Sequence, residues 1–358
     1  MKLLILIPNV GKNSFQAQEL MERQAAYVRS ITKNVTHKRI ESLVLYSGAP
    51  EDLGQFDMST KCLSVKYTSV ITFTIKSLHT LVARQYRPDS IVAGTPFQPL
   101  AIALFIKVFF PRANIHTSVH GEISALTKKG LRNKAKYLFL RLFLHKSATI
   151  RFVSSLQMNQ ALKELALKKS TAYVAPVPIF LQDTVDSSAS ADSIAFVGRI
   201  QEERGVNEWI QIGQRFEHDR LLVIGQGPLS NFFQKSLPGA QFLGALSNAQ
   251  VQENWRKIAV LLSTAPHESY GLTMREALLH GVPVVSRKNV GSLELQVDFP
   301  ELISVYSTLD EAESQIRKFL ISKSNSVMED EFRRFRETFF IKQEKYLEKL
   351  ALAWSNEL

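Results

Sequence analysis

Cysteine is almost missing from this chain. Cys62 is the single thiol in 358 residues, which excludes an intrachain disulfide and fits a reducing compartment. Long apolar runs are missing too. The longest, residues 100–110, is interrupted by Lys107 and falls far short of the roughly 20 residues that a membrane-spanning helix needs. Residues 1–7 are too brief an apolar run for a secretory signal and lead straight into a polar loop, so a cytoplasmic protein is expected. There is no D-x-D, and the eight histidines show no ligand spacing with cysteine or carboxylates. Metal chemistry is therefore not indicated. Acidic residues are absent from 123–163, a gap that matters below.

What is present is the composition of a folded soluble protein, 45% hydrophobic and 22% charged. The length exceeds that at which one core keeps growing, so two domains are expected. The net charge of +11 is divided unevenly. Residues 1–180 hold 25 Lys and Arg against 9 Asp and Glu, a net of +16, whereas residues 181–358 hold 19 against 24, a net of −5. The first half is thus expected to meet something anionic: a phospholipid surface, a pyrophosphate-bearing acceptor or nucleic acid.

Hydrophobic runs alternate with helical patterns along the whole chain. Residues 2–7, KLLILI, read as a strand buried on both faces of a parallel sheet. A helix near 15–32 follows, then strands at 42–47, 62–67, 89–94, 114–121, 148–155 and 172–178, with helices near 71–86, 98–109 and 155–168. The polar run 181–192 is the expected linker. The alternation restarts with strands at 193–199, 219–227, 240–246 and 258–264 and helices near 205–215, 228–236 and 247–256. This is the βαβ pattern of a doubly wound sheet, whose ligands sit beyond the carboxyl ends of the strands. The last segment, residues 329–354, reads as an amphipathic helix.

Residues 265–286, APHESYGLTMREALLHGVPVVS, carry the most chemistry. A helix begins near Gly271 and stops at Gly281 and Pro283, which puts Glu268 in the preceding loop and Glu276 one turn inside. Backbone N–H groups around Tyr270, Gly271, Leu272 and Thr273, next to Ser269, are expected at the helix N-terminus, where the macrodipole favours a diphosphate. The two flanking carboxylates would repel that phosphate, but they can accept hydrogen bonds from hydroxyls. A nucleotide sugar has hydroxyls at both ends. Arg199 follows a strand and Arg204 precedes Gly205. Both are placed to neutralise phosphate with a guanidinium fork.

The stretch resembles the E-x7-E signature of retaining GT-B glycosyltransferases of family GT4. FVGRIQEERGVNEWI, LLVIGQGP and FLGAL precede it in the family's order and spacing; the first half matches mainly in architecture. The resemblance implies an α/β GT-B fold: two Rossmann-like doubly wound domains, 1–180 for the acceptor and 193–335 for the nucleotide sugar, facing across a cleft, with a C-terminal helix, 336–358, returning to the first. It implies that Glu268 contacts donor-sugar hydroxyls, that Glu276 holds the ribose diol, and that Arg199 and Arg204 clamp the diphosphate. His120, after a strand and before Gly121, would orient the sugar, and Gly11 would line the opposite wall by close backbone approach. Gly225 and Gly227 would lie near the nucleotide, and Gly244, Ala245 and Leu246 at the base edge. No cofactor is implied beyond the donor itself, with a UDP-sugar favoured over a GDP-sugar.

The acidic-free gap holds Lys128, Lys129, Arg132, Lys134, Lys136, Arg141 and Lys146 interleaved with Leu131, Tyr137, Leu138, Phe139 and Phe143. A basic amphipathic helix over 128–146 would suit an anionic membrane surface; an internal helix with a solvated basic face is the plainer alternative. The acceptor expected is a glycan or lipid-linked glycan. A soluble small acceptor is a second reading. A nucleic-acid-binding protein on a Rossmann-like scaffold is a third, opposed by the lack of any nucleic-acid module.

Overall fold

The computed structural model describes residues 1–8, 14–35, 39–47, 59–65, 69–121, 123, 130–181, 191–321 and 326–358, with backbone alone over 14–23. The chain divides into two compact units, residues 1–176 with 343–358, and residues 177–342.

The first unit is built on β1 (Lys2–Ile7), α1 (Ser14–Asn34), β2 (Glu41–Tyr46), β3 (Thr60–Ser64), α2 (Val70–Ala83), β4 (Ser90–Ala93), α3 (Gln98–Phe109), β5 (Asn114–Val119), α4 (Leu131–Phe143), β6 (Thr149–Phe152), α5 (Ser155–Leu165) and β7 (Ala172–Val174). Its seven strands are parallel in the order β3-β2-β1-β4-β5-β6-β7. Successive side chains of a strand face opposite ways, and β1 shows it. Leu4 and Leu6 enter a core with Phe73 of α2, Leu100 and Ile106 of α3, Leu140 of α4 and Ala161 of α5. Leu3 and Ile5 enter the other, with Tyr27 and Val28 of α1 and with Leu350 and Trp354 from the end of the chain. The helices α2 to α5 therefore share one face of the sheet.

The second unit runs β8 (Ser193–Val197), α6 (Val206–Gly213), β9 (Leu221–Ile224), α7 (Ser230–Ser236), β10 (Gln241–Gly244), α8 (Asn248–Asn254), β11 (Ile258–Ser263), α9 (Leu272–Leu279), β12 (Val284–Arg287), α10 (Val290–Asp298), β13 (Ile303–Tyr306) and α11 (Leu309–Ile321). Its parallel sheet has the order β10-β9-β8-β11-β12-β13. Phe196, Trp209 and Phe233 meet edge to face on one side of it, and the indole N–H of Trp209 donates to the carbonyl of Leu262 at 3.2 Å. In each unit the direction of winding reverses beside the first strand, between β1 and β4 and between β8 and β11. Those reversals are where doubly wound sheets open a crevice for ligands.

Two expected boundaries shift. The second unit begins at Val177, because Ile179 and Leu181 already pack in its core; the expected linker, 181–192, lies mostly outside the described residues. The last helix, α12 (Ser326–Trp354), starts earlier than the sequence pattern suggests. It belongs to both units, with Phe332, Phe335 and Phe339 in the core of the second and Leu350, Ala351 and Trp354 in that of the first.

Candidate active site

Beyond the ends of β8 and β11 two loops are locked together. The Thr264 hydroxyl donates to the carbonyl of Arg204 at 2.9 Å. The backbone of Gly205 lies so close to that of Thr264 that any Cβ would overlap the Thr264 carbonyl. Arg204 is thereby presented beside the loop that follows β11. Its Nη1 donates to Glu268 Oε2 at 2.6 Å, and the other carboxylate oxygen accepts from the Gly271 N–H at 3.3 Å. The Glu268 carbonyl accepts from the N–H of Gly291 at 2.7 Å. Gly291 comes that near because a side chain there would run into the Tyr270 backbone. Glu268 is thus fixed at both its main chain and its carboxylate.

Gly271 is the N-cap of α9, in the left-handed region at φ 73°, and it makes no side-chain cap. By contrast α2, α8 and α10 begin with full capping boxes, from Ser69, Ser247 and Asn289. The start of α9 is therefore a helix end whose donors are met partly by Glu268 and not by a dedicated cap. A pocket at this point is lined by Arg204, Thr264, Ala265, Glu268, Gly271 and Thr273. It gathers a cation, a carboxylate and a helix N-terminus within one unit, the combination that an anion carrying hydroxyls requires.

Glu276 is half-buried in the second turn of α9, and Ser269 is buried beside its entry. The Glu276 carbonyl accepts from His280 Nδ1 at 2.7 Å, and the imidazole stacks on Trp255. Burial holds His280 below the usual histidine range. Arg275 is buried, with its guanidinium carbon 3.6 Å from the centre of the Tyr270 ring and Nη2 3.3 Å from Glu294 Oε2.

The glycine turn after β9 has a packing reason of its own. A Cβ on Gly225 would fall on the carbonyl of Gly198, and one on Gly227 on the carbonyl of Ile200. Hydrogen bonds from Gly198 N–H to Ile224, from Ile200 N–H to Gln226 and from Leu229 N–H to Ile200 knit the two loops. The Gly225 N–H also donates to the Gly244 carbonyl at 2.7 Å, joining the third loop. Gly244, at φ 70°, ends β10 with no atom within 4 Å of its would-be side chain. Ala245 and Leu246, expected in the strand, lie beyond it, Ala245 exposed and Leu246 packed on the core.

Arg199 is exposed directly after Gly198. His120 is exposed one residue past β5, in the first unit. Gly11, Lys128 and Lys129 lie outside the described residues. Arg204, Glu268 and Gly271 are therefore the expected residues that the described contacts bring together. The sequence reading overlooked Thr264, Gly291 and Asn289, whose Nδ2 donates to the carbonyl of Ala265 at 2.9 Å. The Asn-x-x-Ser box at 289–292 is a signal for Asn289 and for Gly291 inside it, whereas Thr264 has none in the sequence. Among the described residues no three His, Cys, Asp or Glu converge on a point.

Residues 191–304 match the family model described as Glycosyl transferases group 1. The second unit is a group 1 glycosyl transferase domain. Over 117 residues the chain is 26% identical to a GDP-mannose-dependent alpha-mannosyltransferase of Corynebacterium glutamicum, a span of 33% of this chain and 28% of that protein. It is 23% identical over 269 residues to the sulfoquinovosyl transferase SQD2 of Arabidopsis thaliana, covering 69% of this chain and 52% of that one. The chain thus spans about a quarter to a half of the lengths of these curated relatives. The solved structure of Anabaena Alr3699/HepE in complex with UDP and glucose superposes over 100% of both chains with a TM-score of 0.72 at 15% identity. That likeness gives the fold, which is GT-B: the group 1 domain is its second Rossmann-like unit, and residues 1–176 supply the first.

Proposed function

We propose that this chain is a retaining, metal-independent glycosyltransferase. It moves a hexosyl unit from a nucleotide diphosphate sugar, a UDP-sugar in first place, to a glycan or lipid-linked glycan in cell-surface polysaccharide or lipopolysaccharide synthesis. The observation that carries this reading is the trio of Arg204, Glu268 and the start of α9, placed at the strand reversal of a group 1 domain.

Arg199, Arg204 and the α9 N-terminus offset the charge on the diphosphate as it leaves, the stabilisation that a metal ion supplies in other enzymes. Glu268 accepts hydrogen bonds from sugar hydroxyls and Glu276 from the ribose diol. His120 orients the sugar. The bond between C1 and the phosphate oxygen breaks, the acceptor oxygen bonds to C1 on the same face, and the acceptor proton passes to the departing phosphate. No protein base is needed.

A UDP-sugar is supported by the UDP and glucose bound to the Anabaena protein, which matches over the whole chain. A GDP-sugar is the second reading, favoured by the name of the Corynebacterium relative. Thermal unfolding with UDP-glucose, UDP-galactose and GDP-mannose separates them. A donor at a hundred times its Kd stabilises the protein by about 2.7 kcal/mol, and Glu276→Ala should abolish most of that shift. If no nucleotide sugar moves the midpoint, or if Glu276→Ala responds as the parent does, the donor reading is wrong.

A further inference from the structure

Among the described residues, ten of the eighteen exposed large apolar side chains fall on α2, α3 and α4. These helices cover one face of the first sheet and are neighbours. Helix α2 contacts α3, and Lys136 of α4 lies over the ring of Phe97 at the start of α3, 5.3 Å from its centre. Their inner sides are spent on the core; the outer sides carry the exposed groups.

On α2 the outward positions are Ile71, Ile75 and Val82, with Leu78 between them, spaced so that all fall on a single stripe. Helix α3 adds Phe105, Val108 and Phe109, of which Val108 is 74% exposed. Helix α4 adds Leu131, 88% exposed, with Leu138, Leu142 and Phe143. Isolated exposed apolar residues are ordinary, but ten of them concentrated on three neighbouring helices mark a surface meant to be covered.

The charge around the group is of one sign. Among the described residues of 69–146 there are ten Lys and Arg (Lys76, Arg84, Arg87, Lys107, Arg112, Arg132, Lys134, Lys136, Arg141 and Lys146) against Asp89 alone, and α5 adds Glu164, whose carbonyl accepts from the Tyr137 hydroxyl of α4. Arg132, Lys134 and Arg141 are exposed on α4 among its outward leucines. An apolar face on helices that carry cations and few anions is complementary to one kind of partner. Its aliphatic and aromatic groups enter an acyl layer while its cations stay at phosphate headgroups. A protein partner would need a matching apolar and acidic surface, and nucleic acid would leave the apolar stripes without a counterpart.

We propose that the outer faces of α2, α3 and α4 together form a docking surface for an anionic phospholipid bilayer. The surface is thus broader than the basic stretch at 128–146: α4 contributes Arg132, Lys134, Lys136 and Arg141, and α2 and α3 contribute six of the ten exposed apolar side chains. The contact proposed is with the bilayer surface; among the described residues no helix is long and apolar enough to cross a membrane. The inference concerns the first unit alone and holds whichever sugar the second unit takes.

Cosedimentation of the full chain with vesicles tests it. One set contains phosphatidylcholine with a quarter phosphatidylglycerol, and the other phosphatidylcholine alone. The parent should bind the anionic set and dissociate as salt rises. Arg132→Gln/Lys134→Gln/Arg141→Gln should lower the partition constant about 100-fold, since each cation near such a surface contributes about fivefold. Ile75→Ser/Val108→Ser/Phe109→Ser should lower it about tenfold or more and leave the salt dependence intact. All six side chains are exposed, and an unchanged thermal midpoint shows that each variant is folded. Equal binding to both vesicle sets, or parent-like binding by either triple variant, overturns the proposal. So does a parent dimer, seen by light scattering, that the apolar triple dissolves without loss of vesicle binding; the face would then belong to a second copy of the chain. A parent that binds vesicles but gains no stability from any nucleotide sugar fails the donor reading and leaves this one standing.

Discussion

Glu268 is held by three unlike contacts: the guanidinium of Arg204, the N–H of Gly271 on its carboxylate and the N–H of Gly291 on its carbonyl. The side chains of the ion pair are 41% and 22% exposed. A pair so open to water contributes on the order of 0–1 kcal/mol to folding, and its value therefore lies in position. Arg204→Gln is expected to change the free energy of unfolding by less than about 1 kcal/mol and to weaken UDP binding, measured by calorimetry, about tenfold or more. Loss of stability without loss of affinity would make Arg204 a structural residue. Both members of the pair were legible one at a time, Glu268 from its spacing to Glu276 and Arg204 from its place before Gly205. Their contact was not legible. It spans 64 positions of sequence and arises only when two strand ends become neighbours in a sheet.

At the level of elements, three turns after β8, β9 and β10 are joined by main-chain contacts, and their glycines are there for different reasons. Gly225, at φ 138°, faces the carbonyl of Gly198, whereas Gly244, at φ 70°, faces open space. Gly225→Ala should therefore cost about 2–3 kcal/mol, from backbone strain plus a main-chain clash. Gly244→Ala should cost about 1 kcal/mol, from conformation alone. Denaturant titration of the two variants checks the difference, and equal costs would mean that the loops do not interlock. The pattern G-x-G in the sequence pointed to a ligand; in the fold its first role is to let backbone approach backbone. Strand ends were misread for a related reason. The apolar run at 240–246 continues past Gly244, whose left-handed conformation ends the strand, and Leu246 stays apolar because it packs on the core from outside the sheet. Helices α10 and α11 carry a mark of another kind, the Asn-x-x-Ser box at 289–292 and the Thr308–Glu311 pair at their starts, which a search for apolar periodicity passes over.

For the molecule as a whole, the alternation of strands and helices was enough to expect two doubly wound sheets. It was not enough to say where one unit yields to the other. That depends on which core Ile179, Phe339 and Leu350 join, and they are apolar in either case. The division makes the second unit a continuous segment, 177–342, and the first a discontinuous one. Residues 177–342 expressed alone should fold and, on the proposed function, retain the nucleotide, whereas residues 1–176 alone should not fold. The shorter piece lacks Leu350, Ala351 and Trp354, which are almost fully buried in its core. Circular dichroism melts of the two fragments test this, and a cooperative melt from 1–176 would contradict it.

The helix α12 passes from one core to the other without a break, and the division at 342/343 falls in its interior. A donor domain exchanged between relatives would thus need two junctions of different kinds. The one at 176/177 lies outside any helix or strand, between β7 (Ala172–Val174) and β8 (Ser193–Val197). The one at 342/343 is governed by phase. One residue added there changes the phase between the turn that carries Phe339 and the turns that carry Leu350 and Trp354 by about 100° around the helix axis. Homologous chimeras of this chain must therefore count helical turns at their second seam, a requirement that the first seam does not impose.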